Sequence, residues 1–180
     1  AAAAPPESPP CAAPAGSVSA GWTTVLPAAL HRGRPVGRSM VFRASKGDGR
    51  FGAKAVVHVG ITDEAGTGVY NYDTWGCTVN DAAAAEWAHA VSLPLPPPAA
   101  ADFDTALARH HAEWSRAVDD AAGYDARRLN CFDYVVAAAN GLEVGGHAGW
   151  TRRGLCMAGV DAVLRGVQLH DELCARLHAA

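Results

Sequence analysis

The chain has 180 residues, 49% of them hydrophobic and 18% charged, with a formal net charge of −3. That length suits one domain with its own core, although 39 of the residues are alanine, so bulky apolar side chains are scarcer than the percentage suggests. Without a basic stripe the composition argues against nucleic acid as a partner, and no apolar run is long enough to span a bilayer.

Residues 1–20 are rich in Ala, Pro, Ser and Gly and read as an extended, weakly ordered tail. Residues 21–180 are left as a single domain. From Ser39 the pattern is strand-like: "SMVFRAS", "AKAVVHVGIT" and "GVYNYDTWG". Polar, glycine-bearing "DEAGTG", Asp63 to Gly68, reads as the hairpin loop between the last two. In "EWAHAVSL", Trp87, His89, Val91 and Leu93 alternate and predict a further strand. "PLPPP", Pro94 to Pro98, then stops the sheet.

Helices follow. Asp102 can cap one in which Phe103, Leu107, His110, Trp114 and Val118 recur near helical spacing. "RRLNCFDYVVAAANG" predicts a second, with Asn130 as cap, Phe132, Val135, Val136 and Ala139 on one face, and Gly141 as its stop. After the loop "GLEVGGHAGW", Thr151 can cap a third, with Val160, Val163, Leu164, Val167 and Leu177 as its buried stripe. Strands first and helices afterwards predict an α+β domain, an antiparallel sheet packed against helices.

The five cysteines, Cys11, Cys77, Cys131, Cys156 and Cys174, are odd in number and scattered, with no C-x-x-C pair. That is neither a disulfide framework nor a zinc site, and it favours a reducing, intracellular setting, the cytoplasm first. The N-terminal "AAAAPPESPP" has neither the basic nor the apolar region of a secretory signal, and without an initiator methionine the numbering fits a mature or truncated chain.

Cys131 is the residue with chemical promise. It falls in the first turn of its helix, where unpaired amides and the helix dipole favour a thiolate. The same amides could hold an oxyanion. The plain alternative is a small buried side chain. His58 is the best-placed base among eight histidines. In "VVHVGIT", Val57, Val59 and Ile61 share one face, and Val56, His58, Gly60 and Thr62 the other. Gly60 would leave room there for an approaching helix terminus. The alternative for His58 is a satisfied histidine at a sheet–helix interface.

"HVGIT", "VYNY" and later "NCFDYV" resemble the makorin-two opposite-strand protein family, from about Phe51 to Asn140. More distantly, a strand "H-x-G-I" before a helix "N-C" resembles the circularly permuted papain-like proteins, including the PPPDE-type isopeptidases and the lecithin–retinol acyltransferase group. The resemblance implies a permuted papain-like domain with His58 as general base, Cys131 as nucleophile and Asn130 before it. The third polar residue lies on the next strand in those families, which makes Asn71 or Tyr72 the orienting partner. Those families often carry a polar pair after the cysteine, where this chain has Phe132 and Asp133.

Other signals are weaker. His170, Cys174 and His178 recur every fourth residue, yet three ligands on one helix rarely close a metal site. "SKGDGRFG" lacks P-loop spacing and reads as a turn. Trp75, Trp87, Trp114 and Trp150 read as core, and no cofactor is implied. Two functions remain. One is a cysteine hydrolase or acyltransferase working through Cys131, His58 and Asn71. The other is a non-catalytic subunit that binds protein partners, for example in a ciliary or organellar assembly.

Overall fold

The computed structural model describes residues 31–45, 51, 56–98, 102–119, 123–146 and 148–155. The tail, the third helix beyond Leu155, and His170, Cys174 and His178 lie outside these residues. Among the described residues six strands form one antiparallel sheet: β1 His31–Gly33, β2 Ser39–Ala44, β3 Val57–Thr62, β4 Gly68–Asp73, β5 Gly76–Asp81 and β6 Ala90–Pro94. Their spatial order is β1-β6-β2-β3-β4-β5. A 3-10 turn, Ala85–Trp87, precedes β6, and helices α1 Phe103–Asp119, α2 Cys131–Gly141 and α3 Arg152–Leu155 follow. The domain is α+β, with α2 packed on β3 and β4 and α1 beside it.

Strand alternation gives this sheet two unlike faces. Met40 and Phe42 of β2, Val59 and Ile61 of β3, Tyr72 of β4 and Val91 and Leu93 of β6 share one face. There they pack against Leu107, Tyr134, Val135 and Ala138 of α1 and α2 in the main core. Burying each of the larger of these side chains contributes roughly 1.5–3 kcal/mol. The opposite face carries Val41, Val69 and Ala90, covered by Ala82 and the indole of Trp87. It also carries Ser39, His58, Thr62, Asn71 and Ser92, all buried. Its polar atoms are paired locally: Thr62 Oγ1 accepts from the Ser39 amide at 2.8 Å and donates to the Val36 carbonyl at 2.7 Å.

Local rules explain the helix starts. Asp102 accepts from the Thr105 amide at 3.0 Å and from its hydroxyl at 2.7 Å, which caps α1. Asn130 Oδ1 accepts from the Phe132 amide at 2.9 Å, and the Asp133 carboxylate accepts from the Asn130 amide at 2.9 Å, a reciprocal capping box. Asp133 is also paired with Arg152 of α3. Thr151 Oγ1 accepts from the Gly154 amide, so Thr151 caps α3.

Several elements differ from the sequence reading. "GVYNYDTWG" is not one strand: the chain turns at Thr74 and Trp75 and returns as β5. "EWAHAVSL" is a 3-10 turn followed by β6, so Trp87 lies on the face opposite Val91 and Leu93 rather than beside them. The buried stripe of α2 is Cys131, Tyr134, Val135, Ala138 and Ala139, with Phe132 and Val136 only partly covered. Gly141 is the last helical residue, and Leu142 forms the cap.

Candidate functional site

His58 projects from β3 opposite Arg43 of β2 in the register. Its Nε2 lies 3.0 Å from Asn71 Oδ1. The Asn71 amide nitrogen donates to the carbonyls of Val69 (3.2 Å) and Thr78 (3.3 Å) and to Asn80 Oδ1. With its nitrogen so engaged, Asn71 presents oxygen to the imidazole, so His58 donates through Nε2–H and holds that tautomer. Burial is the largest influence on the ring and lowers its pKa below 6.5; the Asn71 hydrogen bond opposes this, and Arg43 adds to it. His58 is thus a neutral, oriented imidazole.

Its surroundings are closed. The Trp87 ring is centred 6.0 Å from that of His58, and the Arg43 guanidinium lies over Trp87 at 5.0 Å. Arg43 is 3.8 Å from Glu86. Gly60 offers no room for a helix terminus: a Cβ there would meet Val69 Cγ1 at 2.8 Å and the Tyr70 carbonyl at 2.9 Å. The space expected for a helix is filled by β4.

Cys131 begins α2 as expected, but it is 3% exposed and belongs to the main core with Val59, Ile61 and Tyr72. Burial pushes its thiol pKa up. Contacts with the Val59 amide, the Tyr124 hydroxyl and the amides of the helix start oppose this without reversing it. Tyr124 is itself pushed up to about 12, by burial first and then by Cys131. The dipole argument for a thiolate therefore fails here, because desolvation outweighs it.

Of the three predicted site residues, His58 and Asn71 are joined by a hydrogen bond, and Cys131 packs in the main core with its thiol against the Val59 amide. His58 leaves β3 on the Trp87 face, whereas Cys131 packs with Val59 and Ile61 on the helix face. Tyr72, the other candidate orienter, also points to the helix face. Neighbouring residues of β3 point to opposite sides, so His58 and Val59, against which Cys131 packs, face different sides of the sheet. Sequence reasoning missed Arg43, Trp87 and Asn80 around His58, and Tyr124 beside Cys131. Arg43 was legible as the polar residue in "SMVFRAS"; Asn80 was hidden with β5.

Residues 23–165 match the family model described as DUF4796 C-terminal. The chain belongs to that family. No curated protein and no solved structure matches it. His58, Asn71, Trp87, Tyr124 and Cys131 of this DUF4796 C-terminal domain all fall within the matched span. Among the described residues no helix is long and apolar enough to cross a membrane.

Proposed function

We propose that this domain is a non-catalytic module that serves a protein assembly, and that Cys131 and His58 are structural residues. One observation carries the reading: the imidazole leaves β3 on the Trp87 face, whereas the thiol at the start of α2 packs with Val59 and Ile61 on the helix face. A papain-like hydrolase needs the base within hydrogen-bond reach of the nucleophile. A permuted papain-like fold with a working dyad would need β3 shifted by one residue. The ladder with β2 runs from Met40–Ile61 to Ala44–Val57 without a bulge, and this opposes such a shift. A buried thiol of raised pKa is also a poor nucleophile.

Thiol labelling of the native full chain tests this. Cys131 should react at least about tenfold more slowly with a small electrophile than partly exposed Cys77, and His58→Ala should leave the order of labelling unchanged. Fast labelling of Cys131 that slows in His58→Ala would restore the hydrolase or acyltransferase reading.

A further inference from the structure

β5 ends the sheet order, with β4 as its one neighbour among the described strands. The Thr74–Trp75 turn makes Asp73–Gly76 the closing, hydrogen-bonded pair of the hairpin. Past the other end of the ladder, the Ala82 amide donates to the Thr67 carbonyl at 2.9 Å, in the same phase. Hydrogen-bonded pairs alternate along an antiparallel ladder, so Val79, paired with Tyr70, turns its amide and carbonyl away from β4. Its side chain is 52% exposed, and Trp75 at the hairpin tip is 89% exposed. Edges of this kind are normally blunted by lysine, proline or a bulge. Gly76–Asp81, "GCTVND", has no lysine or proline, carries its one charge at the end in Asp81, and pairs with β4 at six positions without interruption.

We propose that β5 pairs antiparallel with the β5 of a second copy of this chain, about a two-fold axis through Val79. A two-fold interface must be self-complementary, and this register is. Val79 meets Val79, Thr78 lies across from Asn80, and Cys77 lies across from Asp81, so no carboxylate faces another. Carried past the strand, the register sets Trp75 across from Ala83, an exposed small residue. One strand edge and two indoles make a small interface, so the dimer is weak and concentration-dependent. The inference is independent of the thiol chemistry, and either can fail without the other.

Sedimentation of the full chain over a concentration series tests it. The mass should rise towards two chains. Val79→Lys, which sets two cations against each other across the axis, should weaken association at least about tenfold while the circular dichroism spectrum stays the same. Val79→Thr, still a good strand former, should keep the dimer. Oxidised Val79→Cys chains should crosslink through position 79, as peptide mapping would show. A chain monomeric at every concentration would overturn the proposal, and so would a dimer that Val79→Lys leaves intact. A monomer whose β5 pairs only with an added peptide from another protein would overturn it too.

Discussion

The two faces of the sheet are built from the same strands by opposite means. The helix face is apolar: Phe42, Val59, Ile61 and Tyr72 meet α1 and α2, and Cys131 behaves there as one more small core residue. The Trp87 face buries Ser39, His58, Thr62, Asn71 and Ser92 beneath one indole and a short connection. The first face is held by area, which is tolerant of detail. The second is held largely by hydrogen bonds among Ser39, His58, Thr62 and Asn71, where a lost partner leaves a buried polar group with its full desolvation cost, although Trp87 Nε1 and Arg43 Nε have no partner among the described residues.

Substitutions on each face tell the two apart. The largest effect is expected on the helix face: Phe42→Ala should cost about 3–5 kcal/mol in urea unfolding, through lost area and a cavity. On the other face, Asn71→Ala removes little area yet should cost roughly 1–3 kcal/mol, because His58 Nε2–H loses its acceptor. A cost near zero would mean that water replaces Asn71 freely and that the face is wetter than described. Trp87→Phe should cost roughly 1–2 kcal/mol through the small cavity it leaves, since among the described residues the indole Nε1 makes no hydrogen bond that would be lost.

The gentlest effect is that of pH. His58, His110 and His111 all have pKa values lowered from 6.5, chiefly by burial. For His110, the Tyr134 carbonyl and Glu113 oppose the shift; for His111, the charge of His110 adds to it. A histidine with a depressed folded pKa binds protons first in the unfolded chain. Stability is therefore full above about pH 6.5 and declines as pH falls below it. The urea midpoint should drop from pH 7 to pH 5, and His58→Gln should flatten the slope without abolishing it. An unchanged slope would mean that His58 titrates normally and is not buried as described.

Much of the fold was legible in the sequence. The alternation in "VVHVGIT" assigned Val59 and His58 to different faces, and Asn130 and Asp133 capped α2 as their spacing predicts. Asn71 was legible as a partner of His58 because a hairpin sets β4 beside β3. What the sequence could not supply was the face on which α2 settles. That depends on long-range packing of Tyr134 and Val135 against β3 and β4, which no local period encodes. β5 was invisible because "GCTVND" alternates without a clear apolar face, and the Trp87 turn was mistaken for strand because its indole happens to fall in phase with Val91.

His58 points from β3 to the Trp87 face while Cys131, at the start of α2, packs on the helix face, and side-chain proton contacts in solution check this placement. In a nuclear Overhauser spectrum of the native chain, the His58 ring protons should show contacts to Trp87 and Asn71. The Cys131 β-protons should show contacts to Val59 and Tyr124, and no cross-peak should join Cys131 to the His58 ring. A clear cross-peak between them would place thiol and imidazole on one face and contradict the account.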